Sequence, residues 1–175
     1  MDAVSFRAAQ GPIRDRYSNN ANAAFLTLRA QGTANDSTVT CRVETGQGLA
    51  VAGIHPKAGG SGLELCSGDM LLEALIACAG VSLRAAAAML DVPIKSVIVS
   101  AEGDVDLRGT LGIAEGVPVG FKAIRLHFDV EADAPQDVVD QLVELTKRYC
   151  VIFQTIQNSP ETETSVRLRT VRNRV

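Results

Sequence analysis

Apolar residues run almost unbroken from Met70 to Leu90, whereas most of the remaining chain alternates or breaks its pattern. A run of this length, led by Asp69 and stopped before Pro93, predicts one long helix. Three- and four-residue steps put Glu73, Ala77, Gly80 and Arg84 on one stripe, and send Cys78 away from it toward the apolar bulk. A helix that is apolar nearly all round must be covered on most sides. A chain of 175 residues does that by wrapping sheets around the helix or by dimerising. The run is long enough to span a bilayer, but it is rich in alanine and carries Glu73 and Arg84, so it reads as a buried helix and no membrane is expected as a partner.

Residues 1–22 are polar and poorly periodic, with a short helix expected near Pro12–Tyr17; they read as an N-terminal extension to a single domain over 23–175. Ala24–Ala30 and Thr38–Glu44 read as strands around the turn Gly32-Thr33-Ala34-Asn35-Asp36, and Leu49–Ile54 as a third strand. His55–Gly62 holds a proline and three glycines and predicts a loop. Ile94–Leu107 reads as a strand and Arg108–Val119 as a glycine-rich excursion. Phe121–Glu131 alternates, with Ile124, Leu126, Phe128 and Val130 on one face and Arg125, His127, Asp129 and Glu131 on the other. Pro135 suits the first turn of a helix running to Tyr149, with Val138, Val139, Leu142, Val143 and Leu145 on its buried side. A short helix over Cys150–Asn158 and a closing strand over Thr164–Val171 complete an α+β pattern with antiparallel sheet.

Hydrophobic residues make up 46% of the chain and charged residues 21%, which is globular composition. The net charge of −3 argues against a nucleic-acid partner, and the one basic run (Arg167, Arg169, Arg172, Arg174) alternates like the wet face of a strand. Aromatics at 4%, with no tryptophan, leave no platform for stacking bases. No secretory h-region is visible at the N-terminus, so the four cysteines point to thiols in a reducing, cytoplasmic setting. Cys66 and Cys78 stand too far apart for a zinc site, and His55 and His127 lack clustered partners, so neither metal nor cofactor is expected. Nucleophile-elbow, P-loop and dinucleotide signatures are absent.

The chemistry that remains is that of thiols. Cys78 lies in the long helix and Cys150 at the start of a late one, which suggests a redox pair assembled by folding; each alone reads equally as a small buried hydrophobe. Cys150, opening a helix next to Arg148, is expected to gain thiolate character from the helix dipole. Cys78, mid-helix, gains nothing from that source, and burial alone raises its pKa. Cys41 and Cys66 read as bystanders, Asp69 as an N-cap, Glu73 as a solvated or interface carboxylate, and His127 as solvated.

The segment Gly68-Asp69-Met70-Leu71-Leu72-Glu73-Ala74-Leu75-Ile76-Ala77-Cys78 resembles the central helix of the OsmC/Ohr family, and Cys150-Val151-Ile152 resembles the family's second cysteine. Val99–Gly103 and Gly120–Ile124 are similar to its intervening strands, so the resemblance covers roughly residues 24–171. It implies an OsmC-like fold in which antiparallel sheets of two chains wrap long buried helices in an intertwined homodimer, with active sites at the interface. It also implies that Cys78 attacks an organic hydroperoxide, that Cys150 resolves the sulfenic acid as a disulfide, and that a dithiol, of lipoyl type in the family, reduces it. Asp69 matches the helix carboxylate of that site. Gly68 and Val151 replace prolines of the family pattern. The family's activating arginine has no counterpart in the turn 32–36, leaving Arg29 and Arg42 as candidates. Without a cation, Cys78 is expected to titrate above the usual catalytic range and to turn over weakly. The rival readings are a redox sensor that uses the same disulfide without turnover, and a small-molecule-binding dimer whose cysteines only pack.

Overall fold

The computed structural model describes residues 3–28, 30–34, 40–44 and 49–168. It opens with helix α1 (Ala3–Asn19), followed by a single 3-10 turn at Ala21–Ala24. Strands β1 (Gln31–Ala34), β2 (Thr40–Glu44), β3 (Leu49–Gly53) and β4 (Leu65–Cys66) come next. The long helix α2 (Ser67–Leu90) follows, then β5 (Ile94–Val105), the single turn α3 (Leu107–Thr110) and β6 (Phe121–Ala132). Helices α4 (Gln136–Tyr149) and α5 (Val151–Gln157) close the ordered elements.

The α+β class holds, and three boundaries move. The N-terminal helix is far longer than Pro12–Tyr17; Pro12 sits inside it, where an exposed helix loses one rung whose carbonyl water can satisfy. Two arginines hold it on α2: Arg7 donates to the Ala88 carbonyl at 2.6 Å and pairs with Asp91 at 3.0 Å, placing a cation on the negative end of α2, and Arg14 donates to the Met89 sulfur at 3.3 Å. The first strand lies at Gln31–Ala34 and not at Ala24–Ala30, where Phe25, Leu26 and Leu28 are all exposed and have no strand partner among the described residues. The expected closing strand is absent from its described part, 164–168, which runs as irregular chain; its last residues fall outside the described ones.

The strands form two sheets. One has the order β1-β2-β3-β4, antiparallel except for the short parallel pair β3–β4. The other is the antiparallel hairpin β5–β6, in which Val99 faces Phe128 and Ala101 faces Leu126. Its inner face carries Ile124, Leu126 and Phe128, as the alternation predicts. Its outer face is charged, with Arg125 paired to Glu102 at 3.1 Å and to Asp104 at 2.9 Å.

Helix α2 is the centre of packing and lies against α1, β5, α4 and α5. Near its middle, Leu75 and Ala79 bury against Cys150, inside a shell that includes Val99, Phe128, Ile152 and Phe153. Near its end, Ala86 and Ala87 meet Leu142 of α4, with Ile94 and Leu145 around them. Small alanines allow this close approach of helix to helix and helix to sheet. The helix ends where Asp91 takes a left-handed backbone (φ 59°), two residues before Pro93. By length and composition α2 could cross a membrane. One side of it is left apolar and open: Leu71, Ala74, Ala77 and Val81 follow one another at helical spacing, and all are exposed.

Candidate functional site

The chain bends sharply at Cys150, which ends α4 and starts α5. Its N–H donates to the Thr146 carbonyl at 2.8 Å, and its sulfur accepts the Phe153 N–H at 3.4 Å, so the thiol serves as the N-cap of α5. The residue is fully buried, pressed between Leu75 and Ala79 of α2. This bend lays the start of α5 against α2.

The outcome is that Cys78 packs against the buried cluster that contains Cys150. Burial pushes the Cys78 thiol up, but the polar groups of Ile152, Cys150, Val151 and Ser82 beside it hold it below the ordinary thiol range. Cys150 moves the other way. Burial raises it, and the Phe153 N–H only partly offsets this, because an anionic Cys78 alongside disfavours a second charge. The first proton the pair loses therefore comes from Cys78.

This reverses the expectation from sequence. The amides of α5 serve Cys78 as well as the cysteine that opens the helix. Among the described residues, none of the groups that lower Cys78 is a cation. Arg148 does not serve Cys150 either; its guanidinium lies over the Tyr149 ring, 5.4 Å from the centroid. Arg29 and the turn positions Asn35 and Asp36 lie outside the described residues, and of Arg42 only the backbone is described, paired with Thr33 and Val51. Three of the groups beside Cys78 were not expected from the sequence. Ser82 was legible, since it follows Cys78 by four residues on one helix. The amides of Val151 and Ile152 were not, because only folding brings them to α2.

The other candidates lie apart. The N-cap of α2 is Cys66, not Asp69; Asp69 stands exposed in the first turn. Nine residues separate it from Cys78, a rise of about 13.5 Å with the two on opposite helix faces. Glu73 is exposed, and Arg84 donates to the Ile94 carbonyl at 3.0 Å, tying α2 to the start of β5. Cys66 is half-buried near Gly68 and the Phe121 ring. His127 is exposed on β6, and the Nδ1 of His55 accepts the Lys57 N–H at 3.1 Å. Among the described residues no group of three or more His, Cys, Asp or Glu side chains could hold a metal ion.

The opposed shifts give a direct expectation. Alkylation by a small electrophile, followed peptide by peptide across pH by mass spectrometry, is expected to modify Cys78 with a midpoint below that of free cysteine, and Cys150 only at higher pH. Cys150 reacting first would contradict the geometry. The linked stabilities have opposite signs. The Cys78 contribution is present above the unfolded thiol's pKa and is lost as pH falls through the lowered folded value. The Cys150 contribution is present below the unfolded pKa and is lost as pH rises through the raised one.

A helix laid on a β-hairpin, with one cysteine in its length and a second delivered by the turn between two later helices, defines an α+β protein with a folded-together thiol pair. The chain belongs to the OsmC-like protein family, whose profile matches residues 59–165 and so includes both cysteines. Solved structures agree at the level of the fold. An OsmC-like protein from Mycoplasma pneumoniae is 16% identical over 77% of this chain and 89% of its own, with a TM-score of 0.63. An organic hydroperoxide resistance protein from Elizabethkingia anophelis is 14% identical over 77% and 91%, with a TM-score of 0.60. The organic hydroperoxide resistance protein OsmC of Legionella pneumophila is 19% identical over 77% and 93%, with a TM-score of 0.59. No curated protein matches the chain significantly.

Proposed function

We propose that the protein is a thiol-dependent peroxidase that reduces organic hydroperoxides in the cytoplasm as a homodimer. One observation carries the reading: Cys78 packs against the buried cluster that contains Cys150, and the two thiols are shifted in opposite directions, Cys78 down and Cys150 up. A nucleophile and its resolving partner thus share one cluster before any oxidant arrives. The Cys78 thiolate attacks the terminal peroxide oxygen; an S–O bond forms, the O–O bond breaks, and the alkoxide leaves with a proton as alcohol. The Cys150 sulfur then attacks the sulfenic sulfur, water departs, and a disulfide forms. An external dithiol, of lipoyl type in related proteins, returns both cysteines to thiols by exchange.

The surroundings favour an apolar hydroperoxide, since Phe128, Ile152, Phe153 and Ile156 pack around the pair. The exposed apolar stripe of α2 supports dimerisation, and Cys78 lies at its border by helical spacing. Asp69 is too distant along α2 to serve Cys78 of its own chain, so any catalytic role for it requires the second copy to supply it across the interface. The deciding experiment measures consumption of cumene hydroperoxide by the full chain with dithiothreitol or dihydrolipoamide. Catalytic consumption is the expected result. A single stoichiometric oxidation to the Cys78–Cys150 disulfide without turnover would make the protein a redox sensor, and no oxidation of either cysteine would leave a binding dimer.

A further inference from the structure

The bend at Cys150 takes one carbonyl of α4 away from its helical partner. A helix that ran on would satisfy Lys147 with the N–H of residue 151, but the turn at Cys150 breaks that series. The Gln154 side chain supplies the donor instead. Its Nε2 donates to the Lys147 carbonyl at 2.8 Å, while its backbone N–H donates to the Cys150 carbonyl at 2.9 Å. One residue of α5 thus holds the chain on both sides of the buried cysteine. The Asn158 amide, one turn further, donates to Gln154 Oε1 at 3.2 Å and to the Gln154 backbone carbonyl at 3.3 Å, which keeps the Gln154 amine facing α4. The seating of α5 on α2 is apolar: Ile152, Phe153 and Ile156 pack on the cluster of Leu75, Ala79 and Cys150. Apolar burial holds this seven-residue helix down without fixing its rotation or register, because it is non-directional, whereas a hydrogen bond is directional.

We infer that Gln154 is a positioning residue for disulfide formation: by donating to the Lys147 and Cys150 carbonyls together, it fixes the angle between α4 and α5 and with it the approach of the Cys150 sulfur to Cys78. The inference rests on the Cys78–Cys150 disulfide of the reading above and adds what governs its rate. A Cys78 sulfenic acid has two fates. Attack by the Cys150 sulfur forms the S–S bond and releases water. Attack on a second hydroperoxide transfers another oxygen to Cys78, giving sulfinic acid and releasing alcohol. The first fate is intramolecular and depends on the alignment of the two sulfurs, for which a displacement of about 1 Å is costly. The second depends on Cys78 and the peroxide concentration. Gln154 acts on the first alone.

The test is the cumene hydroperoxide concentration at which half of Cys78 becomes sulfinic acid in a single exposure of the reduced full chain. Peptide mass spectrometry reads it in wild type, Gln154→Met and Gln154→Ala. Methionine keeps the length of glutamine and lacks the amine. Both variants should keep the fold, because the bond is only part-buried and water can take the place of the amine; circular dichroism and the melting temperature check this. Loss of the amine is expected to lower the midpoint concentration about three- to tenfold in both. Asn158→Ala, which leaves the amine but frees its orientation, is expected to move the midpoint less and in the same direction. A wild-type midpoint in Gln154→Met with a native melting curve would overturn the inference. Should both Gln154 variants fail to fold, Asn158→Ala carries the comparison, and an unchanged midpoint there overturns it. A wild type that forms no Cys78–Cys150 disulfide removes the peroxidase reading and this inference together. A wild type that forms it, with variants that partition alike, removes this inference only. A wild type that forms it without turnover, with the midpoints separated as expected, removes the peroxidase reading and leaves this one standing.

Discussion

Replacing Cys78 by serine is expected to reduce hydroperoxide consumption to background, a loss of at least about a thousandfold. The polar groups around the sulfur lower a thiol's pKa, but a hydroxyl starts several units higher and remains protonated among the same groups. Cys150→Ser should behave differently. Serine is a preferred N-cap, so it can accept the Phe153 N–H that the thiol now takes, and α5 should stay in place. That variant is expected to complete one reduction and then to accumulate sulfinic acid at Cys78, because nothing resolves the sulfenic acid. Stopped-flow consumption and intact mass distinguish the two variants. Activity surviving in Cys78→Ser, or peptide mapping that bridges Cys66 to Cys78, would sink the assignment.

Val81→Glu is expected to convert a dimer into monomers at low micromolar concentration in sedimentation. Val81 is 72% exposed in the single chain and ends the open stripe of α2, one turn beyond Ala77. Burying an unpaired carboxylate there costs several kcal/mol, enough to weaken association by about a thousandfold or more. Wild type that sediments as a stable folded monomer would refute the dimer, and a dimeric Val81→Glu would place its interface elsewhere.

The elements most legible in the sequence were those that carry their own reason for burial. The run through α2 and the alternation of β6 specify helix, strand and inner face without reference to partners, and both recur in the fold. Segments whose partners lie elsewhere were less legible. Val166 and Leu168 alternate as a strand does, yet they are 91% and 87% exposed and have no strand partner among the described residues. Alternation says which face a strand would bury, not what would bury it. Phe25, Leu26 and Leu28 misled in the same way. The Gly11-Pro12 pair hid α1, because local propensity argues against a helix that its anchor on Asp91 and Ala88 holds. The two cysteines were visible as candidates, but the electrostatics of the pair were not. Desolvation can be read from an apolar neighbourhood, whereas the approach of Val151 and Ile152 to Cys78 is a fact of tertiary structure.

Cys150 is closed off from solvent, whereas Cys78 is partly open to it. This difference fixes a sequence in time. On the proposed peroxidase reading, an oxidant diffusing in from outside meets only one of the two sulfurs, and the second takes part solely through what happens to the first. The hidden thiol would then be held in reserve, shielded from stray chemistry, and spent only when its neighbour has already been struck.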